Sequence, residues 1–133
     1  MTPRELMAEA EKARRSSFSP YSKFAVGAAL LTRSGRVITG CNVENSSFGL
    51  SCCAERTAVF KAVSEGEREF KAVAVTAGEG HGAAPCGACR QVLHEFAPNM
   101  WVYYRDAKAH IVRRRLSALL VDGFRFKTKR GAK

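Results

Sequence analysis

The chain has 133 residues, of which 46% are apolar and 26% charged, and a formal net charge of +10 at pH 7. This length suits one domain and is too short for two ordinary ones, and the composition excludes a disordered or collagen-like chain. The longest apolar run, residues 24–31, is well short of the roughly 20 residues that a membrane-spanning helix needs. No secretory signal is visible, so we expect a soluble, cytoplasmic protein without a membrane partner.

Hydrophobic periodicity and turn signals divide the chain into short helices and strands. Thr2 and Glu5 form the T-x-x-E pattern of a capping box, which predicts the start of the first helix. Ser34-Gly35 lies between two apolar runs, as in a β-hairpin turn. In chain order, we expect a helix at 3–16, strands at 24–33 and 36–41, a helix at 53–63, a strand at 71–77, a helix at 87–96, strands at 101–105 and 109–113, and a helix at 115–121.

This alternation of helices and strands is typical of an α/β fold. Residues 106–108 separate the last two strands and are too few for anything but an antiparallel turn. We therefore expect a three-layer α/β/α structure with a mixed five-stranded sheet. It would form a single domain over residues 1–126, followed by a basic tail at 127–133.

The positive charge is concentrated near the C-terminus. Residues 105–133 contain ten Lys or Arg and two Asp, a net of +8, which leaves +2 for residues 1–104. Such a segment can steer a protein toward nucleic acid or an anionic surface. The simpler interpretation is a solvated chain end that favours solubility.

Five cysteines, an odd number, argue against a disulfide framework and raise the question of metal binding or catalysis. Cys86 and Cys89 form a C-x-x-C pair at the start of a predicted helix, and Cys53 starts another. Free N–H groups at a helix start favour thiolates. Three thiolates leave one tetrahedral zinc position open, as in catalytic sites, whereas a fourth would close the site. Cys52 is the obvious rival for that position.

Glu55 follows Cys53 by two residues, within reach of an open zinc position. A carboxylate there can take a proton from zinc-bound water and pass it to a substrate. A lone C-x-x-C is equally compatible with a structural half-site, a redox pair or two packed cysteines. The upstream C-A-E and the proline at position 85 favour the catalytic interpretation, because zinc deaminases have a closely related signature.

Five separate stretches extend this signature: S-P-Y-S-K-F at 19–24, V-G-A-A-L at 26–30, G-C-N-V-E-N at 40–45, C-A-E-R-T-A at 53–58 and P-C-G-A-C-R-Q at 85–91. Together they resemble the small, homotetrameric cytidine deaminases that act on free nucleosides. The resemblance covers about residues 18–124. The zinc motif marks the wider deaminase superfamily, whereas C-N-V-E-N and the cysteine before A-E narrow the resemblance to the nucleoside branch.

The resemblance implies a role for each matching residue of the metal site. Cys53, Cys86 and Cys89 would bind one zinc ion per chain, and Glu55 would move protons. Arg56 would donate hydrogen bonds to the ligand sulfurs and offset the net charge of −1 that three thiolates leave on a dication. The alternative for Arg56 is a surface arginine on a helix.

The resemblance also implies a substrate site. Asn42 and Glu44 would hold the ribose hydroxyls, to which an amide and a carboxylate offer donors and acceptors. Phe24 would pack against the pyrimidine and the sugar, while the backbone of Ala54, with Glu55, would read the base edge. From residue type and position alone, we would interpret Phe24 as a core residue and Asn42 and Glu44 as turn formers.

Departures from the family pattern concern subunit contacts. Phe48 replaces a common tyrosine, and Val121 replaces a common proline. A family phenylalanine that reaches into the neighbouring subunit's site corresponds to Phe124.

The implied activity is hydrolytic deamination of cytidine and 2′-deoxycytidine to the uridines and ammonia, as in pyrimidine salvage. One alternative is a deaminase for a modified cytosine nucleoside, such as the blasticidin S deaminases. The presence of Asn42 and Glu44 argues against it, because such an enzyme would not need a pair of residues that binds ribose. The other is cytosine editing in nucleic acid, which the net charge suggests. If Asn42 and Glu44 enclose the ribose hydroxyls, the site has no space for the phosphates that link the ribose to adjacent nucleotides. Nucleic acid is therefore not the expected partner.

Overall fold

The computed structural model describes residues 1–126, and the predicted basic tail at 127–133 lies outside them. All nine predicted helices and strands are present in the predicted order, with a short 3-10 turn at Phe48–Leu50 in addition. Their bounds are α1 Pro3–Arg14, β1 Gly27–Thr32, β2 Val37–Cys41, α2 Ala54–Ser64, β3 Phe70–Thr76, α3 Gly87–Phe96, β4 Trp101–Arg105, β5 Ile111–Arg115 and α4 Leu116–Leu119. None of the helices within residues 1–126 is long and apolar enough to cross a lipid bilayer.

The five strands form one mixed sheet in the order β2-β1-β3-β4-β5. Only the β3–β4 pair is parallel, and α3 provides the crossover between these two strands. On one face, Leu6, Met7 and Ala10 of α1 pack against the sheet. On the other face, residues of α2, α3 and α4 form the larger core with the sheet. The predicted three-layer α/β/α fold is confirmed.

Two strands begin two or more residues later than predicted, in both cases because backbone conformation or a side chain interrupts the ladder. β1 begins at Gly27 rather than at residue 24, since Lys23 has a φ of 59° and the Asn42 side chain binds the backbone of Phe24 and Val26. β5 begins at Ile111 rather than at residue 109. There the Asp106 carboxylate accepts hydrogen bonds from the backbone of residues 108 and 110, and residue 109 has a φ of 66°.

Two glycines let helices approach the sheet from opposite faces. A Cβ at Gly27 of β1 would collide with the backbone of α1 at Ala10. A Cβ at Gly40 of β2 would lie 2.5 Å from the Ala54 carbonyl oxygen and 2.5 Å from the Ala58 nitrogen of α2. Gly40 therefore sets the distance between the sheet and the helix that follows Cys53.

β5 is an edge strand whose last three residues are Arg113, Arg114 and Arg115. The guanidinium groups of Arg113 and Arg115 lie over the Trp101 ring, 4.2 and 3.7 Å from its centroid. Cation–π contacts of this kind fix both side chains against β4. Part of the C-terminal positive charge thus belongs to the folded sheet.

Candidate active site

Three cysteines meet where α2 and α3 begin. Cys53 and Cys86 are the N-cap residues of the two helices, and Cys89 lies in the first turn of α3. The Sγ atoms of all three lie within 4.8 Å of one another, with 3.8 Å between Cys53 and Cys86 and 3.3 Å between Cys86 and Cys89. Among residues 1–126, this is the group of potential ligands placed to share a metal ion.

The donor set fits zinc. Three sulfurs at about 2.3 Å from one ion with tetrahedral angles lie about 3.8 Å apart, close to the observed separations. The thiolates are soft ligands, and three of them leave one coordination position for a small molecule. Cys52, the rival for a fourth ligand, lies outside the cluster, and its sulfur accepts a hydrogen bond from the Thr57 hydroxyl at 3.6 Å.

Arg56 is the cation beside the cluster. Its Nη2 donates to the Cys53 sulfur at 3.3 Å, and its Nε is buried without a hydrogen-bond partner in the described part of the chain. Hydrogen bonds from the Cys89 thiol and from Arg56 outweigh partial burial and lower the pKa of Cys53 to about 5. The proton donated to Cys53 raises the pKa of Cys89, so without metal Cys53 ionises first.

Glu55 lies in the first turn of α2 and is only 4% exposed. Burial is the main cause that raises the pKa of its carboxyl group, and the charge of Cys53 acts in the same direction. The Cys53 side chain accepts no hydrogen bond from the first turn of α2, whereas the Cys86 side chain accepts one from the Cys89 nitrogen of α3. A buried carboxyl group therefore adjoins the sulfurs of Cys53 and Cys89.

Backbone pairing brings the predicted ribose-binding residues to this site. Val43 pairs with Cys52 in an antiparallel bridge and with Phe18 in a parallel one. Asn42 and Glu44 flank that residue, so they lie beside the segment that leads into Cys53. The bridges place three of the recognised sequence stretches side by side.

The Asn42 side chain holds the backbone near Phe24. Its Oδ1 accepts hydrogen bonds from the Ser17 hydroxyl and from the Val26 nitrogen at 2.9 Å, and its Nδ2 donates to the Phe24 carbonyl at 2.8 Å. A second Nδ2 hydrogen remains for another acceptor. Asn42 therefore does not act only as a turn former, because its side chain also holds the backbone of Phe24 and Val26 in place.

Glu44 binds the turn at residues 21–22. Its Oε1 accepts from the backbone nitrogens of Tyr21 and Ser22 at 3.0 and 3.1 Å, and its Oε2 accepts from the Ser22 hydroxyl. These hydrogen bonds from Ser22 lower the pKa of the Glu44 carboxyl group, so it is an anion at neutral pH. Ser17 and Ser22 were not singled out from the sequence, although Ser22 lies inside the S-P-Y-S-K-F stretch.

Phe24 is 44% exposed, so it is not a core residue. Its ring meets His81 edge to face, with 6.0 Å between centroids and 81° between planes. His81 lies outside the five recognised sequence stretches, and no periodic pattern in its glycine-rich loop reveals this contact.

Phe124 lies next to α3. Its carbonyl accepts a hydrogen bond of 2.6 Å from Gln91, two residues after Cys89. The ring packs against Phe126 and is 62% exposed. Phe48 also has an exposed ring, which meets Tyr21 at 5.8 Å between centroids.

The mixed sheet with a helix layer on each face, three clustered thiols and a buried carboxyl group define the class of zinc-dependent deaminases. The family model for the cytidine and deoxycytidylate deaminase zinc-binding region matches residues 1–105. The chain belongs to this family.

Relatives and solved structures agree with this assignment. A cytidine deaminase from Sporosarcina psychrophila is 50% identical over 125 residues, which are 93% of this chain and 92% of the relative. One from Halalkalibacterium halodurans is 49% identical over 120 residues, 90% of this chain and 91% of the relative. The crystal structure of cytidine deaminase from Burkholderia pseudomallei has a TM-score of 0.86 and 48% identity, and the match covers 93% of this chain and 100% of that one.

Proposed function

We propose that this chain is a hydrolase that converts cytidine and 2′-deoxycytidine to uridine and 2′-deoxyuridine with release of ammonia. The observation that carries the proposal is the group of three cysteine sulfurs within 4.8 Å of one another, adjoining the buried Glu55. The family membership supports it. Cys53, Cys86 and Cys89 hold zinc, and Arg56 offsets the excess negative charge of the thiolates.

When bound, zinc supplies a Lewis acid that lowers the pKa of water toward neutrality. Glu55 takes a proton from the attacking water and gives it to N3 as the water oxygen bonds to C4 of the pyrimidine. The second proton of that water then passes through Glu55 to the exocyclic amino group. The C4–N4 bond breaks, the C4 carbonyl forms and ammonia leaves. One carboxyl group serves as base and then as acid, which requires that it stay between nucleophile and leaving group.

The substrate wall is formed by residues whose geometry suits a nucleoside. The free Nδ2 hydrogen of Asn42 and the anionic Glu44 offer a donor and acceptors to the ribose hydroxyls. Phe24 offers an exposed ring for packing, and the Ala54 N–H offers a donor to the base edge. Both Asn42 and Glu44 also bind the segment that carries Phe24, so their loss would disturb two contacts with the substrate.

The first experiment follows the loss of cytidine absorbance with purified protein of known zinc content. Glu55→Gln keeps the size of the side chain and removes proton transfer, so we expect zinc to be retained at one ion per chain while turnover falls by about 100-fold or more. Glu95→Gln, at an exposed position of α3, is the matched control with unchanged turnover. Full activity in Glu55→Gln would end the assignment of this residue.

Two further substrates test the alternatives. A blasticidin-S deaminase from Bacillus cereus is 29% identical over 89 residues, 61% of this chain, so the antibiotic is assayed beside cytidine. A preference for blasticidin S would replace the proposed substrate class. Activity on a cytosine-containing oligonucleotide, together with steeply salt-dependent binding, would instead support nucleic-acid editing.

The proposal includes a homotetramer in which Phe124 of one subunit reaches the site of a neighbour. The exposed rings of Phe124 and Phe126, which contact each other, support it, because adjoining exposed apolar side chains can mark an interface. The cytoplasmic location, the domain limits and the purpose of the tail stay predictions.

A further inference from the structure

Phe24 has a backbone held by hydrogen bonds and a half-exposed side chain. The Ser22 hydroxyl accepts a hydrogen bond from its nitrogen at 3.0 Å, and Asn42 donates to its carbonyl at 2.8 Å. The preceding residue, Lys23, has a left-handed φ of 59°, which turns the chain sharply before the ring. With 44% of Phe24 exposed, the orientation of the ring depends on the side chains that contact it.

The ring contact recorded for Phe24 within residues 1–126 is His81. An edge-to-face arrangement at 6.0 Å is a favoured geometry for aromatic rings, and it limits rotation of the ring that it touches. His81 belongs to the loop between β3 and α3, whose end at Pro85 leads directly to the proposed zinc ligand Cys86. A single loop therefore joins the metal site to the substrate wall.

This loop is held at its start by a buried hydroxyl. Thr76, at the end of β3, accepts a hydrogen bond from the Gly78 nitrogen at 3.1 Å and donates one to Glu11 of α1 at 3.0 Å. The His81 nitrogen then donates to the Gly78 carbonyl at 3.2 Å, which closes a turn. The position of His81 is thus tied to both β3 and α1.

The other side of the loop is held by the β4–β5 hairpin. The Ala83 nitrogen donates to the Arg105 carbonyl at 3.1 Å. A Cβ at Gly82 would lie 2.8 Å from the Asp106 carbonyl oxygen, so the loop lies directly against this turn. With anchors before and after it, His81 is presented by a fixed piece of backbone.

We propose that His81 is a positioning residue that holds the Phe24 ring in the orientation needed for nucleoside binding. The inference rests on the proposed function and adds to it a residue outside the recognised motifs. A ring already held in its bound orientation loses less conformational freedom when the nucleoside binds. The contribution of His81 is therefore to affinity, with no part in proton transfer.

The test compares His81→Ala and His81→Phe in the zinc-loaded enzyme. We expect His81→Ala to raise KM for cytidine about two- to tenfold, the range that one aromatic pair provides, while kcat stays within about twofold. His81→Phe keeps an edge-to-face ring and should restore KM to within about twofold of the original. The dissociation constant of uridine, measured by titration calorimetry, should change in parallel with KM.

His110→Ala is the matched control, because the His110 side chain is exposed on the β4–β5 turn and the hydrogen bonds of this residue to Asp106 come from its backbone. An unchanged KM in His81→Ala would overturn the inference, as would a lower kcat at constant KM. Failure of His81→Phe to restore binding would also overturn it, since the imidazole itself would then be required. Absence of turnover in the unmodified protein would instead overturn the proposed function, so the two failures are distinct.

Discussion

Arg56, in the first turn of α2, places a positive charge beside the cysteine sulfurs of the proposed metal site. Its Nη2 lies 3.3 Å from the Cys53 sulfur, and this contact is the main cause that raises the pKa of the guanidinium group. Arginine remains charged at any pH that the protein meets, so the site keeps a permanent positive neighbour. Residues that support metal ligands in this way commonly determine how firmly the ion is held.

We therefore expect Arg56→Ala to weaken zinc binding about 10- to 100-fold, the usual cost of losing such a partner. The measurement is competition with a chelator of known affinity, followed by metal analysis of the protein. Lys61→Ala removes an exposed cation from the same helix and is the control. If both variants keep their zinc equally well, the charge of Arg56 has no part in retention.

At the scale of single elements, the distance between β2 and α2 depends on the missing side chain of Gly40. We expect Gly40→Ala to lower the free energy of unfolding by about 1–3 kcal/mol, because its Cβ would meet helix backbone that cannot move independently. Urea unfolding with zinc bound measures the change.

Gly49→Ala serves as the control, since nothing lies within 4 Å of a Cβ there and the φ of Gly49 is not in the left-handed region. Equal midpoints for Gly40→Ala and Gly49→Ala would contradict the proposed close packing. Because Cys53 is the N-cap residue of α2 and Glu55 lies in its first turn, displacement of the helix should also reduce turnover.

The elements themselves were predictable from sequence, because capping, glycine turns and hydrophobic period act locally. The capping box of Thr2 and Glu5 is present with both hydrogen bonds, and α3 occupies the predicted residues 87–96. The shift of β1 was not predictable, since it depends on Asn42, a residue distant in the chain. The spacing of Cys86 and Cys89 is a local signal for a metal site, whereas the approach of Cys53, 33 residues before Cys86, and the contact between His81 and Phe24 require the folded chain.

At the scale of the whole molecule, Phe124 and Phe126 form a pair of exposed aromatic rings, and the Phe124 backbone is hydrogen-bonded to Gln91 of α3. If Phe124 completes a neighbour's site, light scattering after size exclusion should give four times the 14.5 kDa of one chain. Phe124→Ala should raise KM about tenfold or more, as expected for a buried aromatic at an interface.

Phe60→Ala removes an exposed aromatic side chain from α2 and is the control for this change. A monomer with full activity would exclude the shared site. If the protein is a tetramer and Phe124→Ala leaves KM unchanged, the subunits assemble but Phe124 does not contribute to substrate binding in a neighbouring site.

The arginines of β5 have a consequence for the behaviour of the protein in a crowded solution. An edge strand carries unpaired N–H and C=O groups that can recruit a strand from another molecule. Here three successive positive charges occupy that edge, and two are fixed by the Trp101 ring. Two such edges repel each other, so the open end of the sheet resists fibril-like stacking. Because arginine does not lose its charge with pH, only salt or polyanions would weaken this protection.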